Sequence, residues 1–340
     1  MANLYYLFFL SPLVLFLLLF IALKIVNKIT FKSYHQVTFN DPQKIVIPPN
    51  QIKVLQYNAY WRPKLIHMGH EEFVGERSKL LSESLDLFDI ISLNESFHYG
   101  SFVASRFINI MSVHGFNYVA TSRPLSWFSK RIIDSGVMIL SRYPIVEYDD
   151  VIYKDGRSYD DFSEKGAVYV KIMVGANNYI KVVSTHLQAT YTADCEEDEL
   201  VRKKQIKQMM ELIQKHAYDN CPIILAGDFN IDARANDNHE FREMLDLLQL
   251  PGYELIDTMK DAVGDEQITT SRIFDPPNQT TYIHYPHNSK RIDFIFIYKS
   301  LQNVLYNSFT SEIDMFNVNN YPFKRLSDHF GVIANIKLNQ

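Results

Sequence analysis

Short apolar runs recur along most of the chain, and the spacing of their apolar residues predicts the secondary structure. Runs of five to eight residues rich in Val, Ile, Phe and Tyr are typical of β-strands. We predict strands at Ile52–Tyr57, Asp89–Leu93, Phe116–Thr121, Gly136–Ser141, Ala167–Val174, Tyr179–Ser184, Pro222–Ala226, Ile292–Tyr298 and Phe330–Ile336. Apolar residues three or four positions apart predict helices, at Glu76–Leu87, Phe102–His114, Glu196–His216 and Asn238–Leu248.

Short strands separated by helices predict an α/β (α+β) fold. We expect two packed, mainly antiparallel β-sheets flanked by helices, as a four-layer sandwich. A single domain over residues 51–340 fits this pattern better than two domains. The stretches Arg123–Asp134 and Asp265–Lys290 lack periodicity. Unpatterned segments of this length in a compact domain are usually functional loops.

The segment from Ala2 to Leu23 carries no charged residue and is long enough to cross a bilayer as one helix. Pro12 is tolerated in a membrane helix. A cleaved signal peptide is the alternative, but the apolar stretch is long for one and no basic residue precedes it. We therefore expect residues 1–33 to be a retained, single-pass membrane anchor with a basic flank. A proline-containing linker over residues 34–50 would follow it.

The charges beside the predicted span indicate its orientation. The nearest basic residues all follow it: Lys24, Lys28 and Lys32. By the positive-inside rule, the C-terminal body is expected in the cytosol. Cys195 and Cys221 do not suggest a disulfide framework, which agrees with a reducing compartment. The sequons at Asn94 and Asn278 leave a lumenal orientation open.

Composition limits the partners. The chain has 340 residues, 47% of them apolar, which suffices for a large core. The first 33 residues hold three of the 34 basic residues and none of the 39 acidic ones, so the remainder has a net charge of −8. A body this acidic is poorly suited to following a nucleic acid backbone over a long footprint, although a local basic patch would still permit nuclease activity. No protein partner can be inferred.

Five polar blocks follow apolar runs and carry the candidate chemistry. They are Gln56-Tyr57-Asn58, Asn94-Glu95-Ser96, Ser184-Thr185-His186-Leu187-Gln188, Gly227-Asp228-Phe229-Asn230 and Ser327-Asp328-His329. Each block taken singly has a structural explanation as a turn, a helix cap or a buried histidine. Together they place oxygen ligands and two histidines at strand ends, where α/β proteins collect their chemistry. This set favours metal-assisted phosphate ester hydrolysis.

These blocks resemble the endonuclease/exonuclease/phosphatase superfamily over residues 52–336. The matching positions are Asn58, Glu95, His186, Asp228, Asn230, Asp293 and the closing Ser327-Asp328-His329. The resemblance implies a phosphoesterase that uses Mg²⁺, with Mn²⁺ as a possible substitute. Glu95 would anchor the metal, the Asn58 carbonyl oxygen would join it, and Asp328 would lie on the metal side.

The remaining matched residues suit the proton transfers. His329 is the candidate general base, because a neutral imidazole can take a proton from the attacking water. The resemblance implies that Asp293 orients it. Asp228 and Asn230 would hold the water and a phosphoryl oxygen. His186 would donate a hydrogen bond to the phosphate or a proton to the leaving group.

Three local features resemble the neutral sphingomyelinase branch of the superfamily. They are Lys165-Gly166-Ala167-Val168-Tyr169-Val170-Lys171, Thr185-His186-Leu187-Gln188-Ala189, and the pair Arg202 and Gln205. The resemblance places Lys165 near the active site, with Asp160 or Asp161 beside it. A solvated lysine at a strand edge is the alternative for Lys165.

The branch predicts hydrolysis of sphingomyelin to ceramide and phosphocholine. An anchor on a short linker makes a membrane phosphodiester the substrate at the highest effective concentration. Trp127 and Phe128 would contact the membrane interface, or alternatively pack in the core. Inositol polyphosphate 5-phosphatases show Trp-Cys-Asp-Arg where this chain has Arg291-Ile292-Asp293. Abasic-site endonucleases share that block, and a catalytically dead scaffold would be expected to have lost some of the matched residues.

Overall fold

Two β-sheets packed face to face form the centre of the molecule. The computed structural model describes residues 11–31, 37–38, 50–63, 73–175, 178–191, 196–235, 238–264, 267–271, 289–302 and 306–339. Their helices are α1 (Ser11–Thr30), α2 (Val74–Ser84), α3 (Val103–Val113), α4 (Glu196–Lys215), α5 (His239–Leu247) and α6 (Thr258–Val263). A 3₁₀ turn covers Ser158–Phe162.

The strands fall into two large sheets and one short pair. They are β1 (Val37–Thr38), β2 (Gln51–Asn58), β3 (Ile90–Asn94), β4 (Tyr118–Thr121), β5 (Met138–Ser141), β6 (Ile145–Ile152), β7 (Gly166–Gly175), β8 (Asn178–His186), β9 (Ile223–Asp228), β10 (Tyr253–Asp257), β11 (Thr270–Ser271), β12 (Ser289–Lys290), β13 (Asp293–Ser300), β14 (Tyr306–Asp314) and β15 (Gly331–Leu338). The first sheet has the order β1-β4-β5-β3-β2-β15-β14 and the second β10-β13-β9-β8-β7-β6. β11 pairs only with β12 among the described strands.

Three apolar clusters hold four layers together. The cluster between the sheets contains inward-facing residues of both, such as Val54, Ile90, Val182 and Ala226. A second cluster covers the outer face of the first sheet with α2 and α3, and a third covers the outer face of the second sheet with α4 and α5. Adjacent strands are antiparallel except β2 with β3 and β8 with β9. The predicted four-layer, mainly antiparallel sandwich is confirmed.

The predicted elements are found with shifted ends, and six strands are additional: the two-residue strands β1, β11 and β12, and the longer β6, β10 and β14. β6, β10 and β14 were not predicted, because charged residues interrupt their apolar pattern; β6, for example, contains Glu147, Asp149 and Asp150. The predicted loop Arg123–Asp134 contains no helix or strand. Most of the loop Asp265–Lys290 lies outside the described residues, and its two ends form the β11–β12 pair.

The predicted membrane segment is described only in part. Residues 2–10 of the predicted span Ala2–Leu23 lie outside the described residues, and the remaining residues of the span belong to helix α1. Within the described part of the chain, no helix meets the length and apolarity needed to cross a membrane. The predicted linker is not wholly separate from the domain, because β1 pairs with β4 at the edge of the first sheet. The remaining linker residues, apart from Asn50, lie outside the described residues.

Candidate active site

The polar blocks meet at one edge of the sandwich. In the first sheet, parallel β2 and β3 end side by side with Asn58 opposite Asn94. In the second, β8 places His186 opposite Asp228, and β13 places Asp293 opposite Asp228. The amide Nδ2 of Asn58 donates to Oδ2 of Asp228 at 2.9 Å, which joins the two sheets at this edge.

The predicted metal side contains two carboxylates. Glu95 directly follows β3 with a φ of 51°, a conformation that non-glycine residues rarely adopt. Burial and, second, the negative charge of Asp328 raise the pKa of the Glu95 carboxyl. Oxygen-rich side chains that repel each other suit a hard divalent cation such as Mg²⁺, whose charge removes the repulsion. Glu95 and Asp328 therefore fit a metal site.

Asn58 contacts both sides of the site through its amide nitrogen. Nδ2 donates to Oε1 of Glu95 at 3.1 Å as well as to Asp228. Oδ1 accepts a hydrogen bond from the backbone N–H of Tyr60 at 3.1 Å. A carbonyl oxygen has a second lone pair, so metal ligation by Asn58 stays a prediction.

His329 and Asp293 form a buried pair. Nδ1 of His329 lies 2.8 Å from Oδ2 of Asp293. Burial opposes a charge on this ring, but the carboxylates of Asp293, Asp328 and Asp228 outweigh it and raise the pKa of His329 well above its usual value. Because Asp293 holds Nδ1 as a donor, Nε2 is the atom left for proton transfer.

Asp228 lies between the two histidines. Its Oδ2 is 3.6 Å from Nε2 of His186 and 3.9 Å from Nε2 of His329. Burial and, second, the charge of Asp293 raise the pKa of Asp228 to about 6. The carboxylate can contact the same small molecule as either imidazole, as the predicted water-binding role requires.

Lys165 belongs to the site and is not a solvated strand-edge lysine. Its side chain is buried, and Nζ lies 2.9 Å from Nε2 of His186. Nζ also pairs with Oδ2 of Asp160 at 3.2 Å. Asp161, the other aspartate considered, pairs with Lys130 at 2.7 Å. The neighbouring carboxylate of Lys165 is therefore Asp160.

His186 is held in its neutral form. Burial, then the positive charges of Lys165 and His329, lower the pKa of His186 well below its usual value. Nε2 accepts from the ammonium of Lys165, so the ring proton is on Nδ1, which has no hydrogen-bond partner among the described residues. An unpaired buried donor is consistent with a ligand that the structure lacks.

Asn230 contributes one of its two amide protons to the scaffold. Its Nδ2 donates to the backbone oxygen of Leu187 at 3.0 Å, and its backbone N–H donates to Oδ1 of Asp228 at 3.0 Å. Asn230 has a φ of 54°, again a left-handed conformation. The second amide proton remains for a phosphoryl oxygen, so the substrate-binding role stays a prediction.

Arg202 and Gln205 support the block that carries His186. Gln205 Oε1 accepts from the backbone N–H of Gln188 at 2.8 Å, and Arg202 Nη1 donates to the backbone oxygen of Gln188 at 3.1 Å. Both side chains are buried. This pair therefore fixes the loop after β8 and does not bear chemistry itself.

Sequence reasoning missed the role of Asn94. It is buried, and its Oδ1 accepts from the backbone N–H of Asp228 at 2.9 Å and from Nε2 of Gln56 at 2.7 Å. Its Nδ2 donates to the backbone oxygen of Thr185 at 3.0 Å. An amide so engaged cannot carry a glycan in the folded protein. The sequence signal was a carboxamide at the end of a short, mainly apolar strand.

Trp127 and Phe128 do not pack in the core. Trp127 is 46% exposed and Phe128 is 100% exposed. Lys28 of α1 lies over the Trp127 ring, 5.7 Å from its centroid. The core-packing alternative for these two side chains is therefore wrong, and membrane contact stays a prediction.

Beside the predicted metal position at Glu95 and Asp328, a second group of side chains offers ligands for a cation. Within the described part of the chain, one group of three residues offers ligand atoms within 4.8 Å of one another: Asp228, Asp293 and His329. His329 already shares Nδ1 with Asp293. The two positions together form one acidic centre that suits Mg²⁺.

Comparison with known proteins identifies relatives of this arrangement. The chain is 29% identical to a sphingomyelinase of Dictyostelium discoideum over 74% of this chain and 72% of that protein. It is 23% identical to a phospholipase C of Staphylococcus aureus over 83% of this chain and 86% of that protein. The crystal structure of a beta toxin from the same bacterium, with bound magnesium ions, superposes with a TM-score of 0.61. That match has 20% identity and covers 84% of this chain and 99% of the toxin chain.

The sequence profile of the endonuclease/exonuclease/phosphatase family matches residues 55–329, which include every polar block of the site. The chain belongs to the endonuclease/exonuclease/phosphatase family.

Proposed function

We propose that this protein is a Mg²⁺-dependent phosphodiesterase that hydrolyses sphingomyelin to ceramide and phosphocholine. The observation that carries the proposal is the convergence of His329–Asp293, Asp228 and His186–Lys165 beside the Glu95 carboxylate. The sphingomyelinase among the relatives supports the choice of substrate.

His329 serves as the general base. Asp293 accepts the Nδ1 proton, so Nε2, which lies 3.9 Å from Oδ2 of Asp228, is the nitrogen that takes a proton from the attacking water. Nε2 takes one proton from this water while the water oxygen forms a bond to phosphorus. The bond between phosphorus and the ceramide oxygen breaks, and that oxygen leaves with the electron pair and takes a proton from solvent, while His329 releases the proton it gained to solvent. One water is consumed for each phosphocholine released.

The base must first lose its own proton. The surrounding carboxylates outweigh burial and raise the pKa of His329, so they favour the charged imidazole. A divalent cation held by Glu95 and Asp328 would supply positive charge that polarises a phosphoryl oxygen and stabilises the leaving oxygen. The same charge would counter the carboxylates that keep the imidazole protonated.

His186, Lys165 and Asn230 bind the phosphate. The low pKa of His186 favours a neutral ring, which has one N–H hydrogen-bond donor and is a poor proton donor. Lys165 adds a buried positive charge, and Asn230 has one unused amide proton. These groups favour an anionic phosphoryl centre over a neutral ester.

We further propose that the protein works at a membrane. The charge-free segment from Ala2 to Leu23 supports an anchor, and Lys24, Lys28 and Lys32 on its C-terminal side support a cytosolic catalytic domain. The exposed Trp127 and Phe128 support contact with the interface. The acidic body supports a lipid over a nucleic acid substrate.

A substrate panel tests this function. The full chain in detergent is incubated with Mg²⁺ and sphingomyelin, phosphatidylcholine, lysophosphatidylcholine, a phosphoinositide or DNA. We expect phosphocholine from sphingomyelin at the highest rate, and none after addition of EDTA. Nucleotide release from DNA, or inorganic phosphate from the phosphoinositide, without phosphocholine from any lipid would overturn the proposal.

A further inference from the structure

Helix α1 packs on the domain with its polar side. The side chains of Lys24, Asn27 and Thr30 recur every three residues and are 4%, 2% and 7% exposed. Apolar residues between them face outward; Ile25 is 44% exposed and Ile29 is 65% exposed. A helix that packs on a domain in water shows the opposite arrangement, with its apolar side inward.

Lys24 anchors this polar stripe. A lysine ammonium has three N–H donors. Nζ of Lys24 donates to the backbone oxygens of Ser126 at 3.0 Å, Ser129 at 2.7 Å and Arg131 at 2.6 Å. All three donors are therefore used, and the loop that contains Trp127 and Phe128 wraps around one lysine.

The C-terminal part of α1 also contacts the segment that follows Glu95, the proposed metal ligand. Leu23 packs against the apolar cluster of Phe97, Tyr99 and Ile133. The backbone N–H of Gly100 donates to Oγ1 of Thr30 at 3.1 Å. The helix thus lies directly beside the loop of the active site, although it precedes the catalytic domain by many residues.

The same segment is fixed from its other side by Asp134. This buried carboxylate accepts from the backbone N–H groups of His98 at 3.2 Å and Tyr99 at 3.0 Å. The ring of Phe31, just after α1, meets the ring of His98 edge-on with centroids 5.0 Å apart. Contacts with α1 and with Asp134 therefore fix residues 97–100. These residues closely follow Glu95 in the chain, so they link the helix to the active site.

The outward side of α1 and the Lys24-bound loop form one apolar surface. Leu15, Phe16 and Leu18 are 67%, 68% and 58% exposed, and Phe128 is fully exposed. Lys28 lies over the Trp127 ring and so links helix and loop at the basic end of this surface. A contiguous exposed apolar surface of this kind marks a site of contact with a membrane or another protein. The lysine beside the aromatic loop suits anionic or zwitterionic lipid headgroups.

We propose that α1 and the loop Ser126–Arg131 form a rigid bilayer-contacting surface, held together by Lys24, that orients the active site toward the lipid. The occupant of the surface is the bilayer itself. The proposal rests on the proposed function only for the identity of the lipid that is cleaved, since contact with a bilayer does not depend on catalysis. In this arrangement α1 is fixed to the catalytic domain and is not a flexible tether between the domain and the bilayer.

Tryptophan fluorescence can test the surface, because the chain has two tryptophans in different environments. Trp127 is 46% exposed in the proposed surface and Trp61 is 2% exposed in the core. The full chain is reconstituted with vesicles of brominated phosphatidylcholine that contain no sphingomyelin. We expect the bromine atoms to quench the emission of the wild-type protein. The Trp127→Phe variant retains only Trp61 and should show no quenching.

Lys24→Met tests the role of the buried ammonium, and Lys79→Met is the control, because Lys79 is an exposed lysine on α2 outside the proposed surface. Lys24→Met should reduce quenching to the level of Trp127→Phe, since the loop is no longer bound to the helix. Lys79→Met should retain the quenching of the wild type. The emission maximum of Trp61 in the Trp127→Phe background shows whether Lys24→Met still folds. A folded Lys24→Met protein with wild-type quenching would overturn the proposal.

Two further outcomes separate this proposal from its alternatives. Wild-type protein that sediments with the vesicles without quenching would also overturn it. If Phe128→Asp converts a dimer to a monomer and leaves quenching unchanged, the surface joins two copies of the chain and the proposal is wrong. Val113→Asp is the control, because Val113 is 86% exposed at the end of α3. If the wild-type protein is quenched but hydrolyses no sphingomyelin, the proposed function is wrong and the proposed bilayer-contacting surface stands.

Discussion

The two histidines of the site have opposite charge preferences although both lie within 4 Å of the same Asp228 carboxylate oxygen. Burial and the positive charges of Lys165 and His329 keep His186 neutral. Carboxylates outweigh burial around His329 and favour its charged form. Groups whose environments separate their pKa values usually divide the acid and base roles. The opposite preferences support the proposed roles of His329 as the proton carrier and His186 as a hydrogen-bond donor.

Asp293→Asn should shift the pH dependence of the reaction. Asp293 is the nearest group that raises the pKa of His329, so its removal lowers that pKa. A base acts when it is deprotonated, so kcat/KM rises with pH through this pKa. We expect the acid limb of the profile to move to lower pH. The plateau should fall by about 10²–10⁴-fold because the ring loses its orientation.

The exposed Asp246→Asn variant is the control for loss of one negative charge. Steady-state kinetics from pH 5 to pH 9 provide the comparison, with the pH values chosen around the usual histidine pKa of about 6.5. An acid limb that stays in place in Asp293→Asn would show that another group is the base.

Glu95→Gln should mainly weaken the dependence on Mg²⁺. The carboxylate is removed while the shape of the side chain is kept, so metal affinity falls and the other residues stay in position. We expect a higher Mg²⁺ concentration for half-maximal activity and partial recovery at saturating Mg²⁺. Direct titration of Mg²⁺ by calorimetry checks affinity independently of turnover. Unchanged Mg²⁺ affinity would place the metal on the Asp228, Asp293 and His329 side.

At the scale of elements, the register of β7 and β8 places two lysines opposite each other, and one carboxylate pairs with both. Lys171 lies opposite Lys181 across the two strands, and like charges in such pairs are destabilising. Asp219 accepts a hydrogen bond from each ammonium. Burial opposes its ionisation, but Lys171 and Lys181 outweigh burial and lower the pKa of Asp219 well below its usual value.

Asp219→Asn should destabilise the fold in a pH-dependent way. The buried Lys181 would lose its charged partner, which costs at most about 3–5 kcal/mol. The folded pKa of Asp219 is below the unfolded value of about 3.9, so this stability is present above that value and lost as pH falls through the folded pKa. Urea unfolding should give a constant difference from wild type near neutral pH that shrinks below about pH 4. A difference independent of pH would contradict the ion-pair explanation.

Most of the elements that bear chemistry could be predicted from the sequence because four of the five polar blocks directly follow an apolar run, whereas Ser327-Asp328-His329 precedes β15. Glu95 after β3 and Asp228 at the end of β9 are examples. The contacts between blocks could not be predicted, because they depend on how two sheets face each other. Asn94 looked like a glycosylation sequon, yet it bridges Asp228 and Thr185 across the sheets. Lys165 was left open for the same reason, since its partner His186 lies on a neighbouring strand end.

At the scale of the whole molecule, the acidic body and the basic segment after residue 23 are separate. The body beyond residue 33 has a net charge of −8, because all 39 acidic residues and 31 of the 34 basic residues lie there. An acidic domain is repelled by anionic headgroups, so the proposed membrane contact would depend on the basic and apolar N-terminal part. In the proposed arrangement, the attachment of α1 through Lys24 would determine which side of the domain meets the lipid.

Protease protection should place residues 51–340 on the cytosolic side. Lys24, Lys28 and Lys32 all follow the apolar segment, which favours this orientation. Protease added outside sealed, right-side-out microsomes should digest the body, while a lumenal marker stays intact. A body protected until detergent is added, or a glycan at Asn278, would reverse the topology. Asn94 is not informative in this test, because its amide is buried and bonded.

The central claim is that water activated by His329 attacks the phosphorus of sphingomyelin in a metal-dependent site. Hydrolysis in H₂¹⁸O by the full chain with Mg²⁺ tests it most directly, with mass spectrometry of both products. We predict one ¹⁸O atom in phosphocholine and none in ceramide, no release in EDTA, and little release by His329→Ala. Label in ceramide, or undiminished release by His329→Ala or in EDTA, would contradict the account.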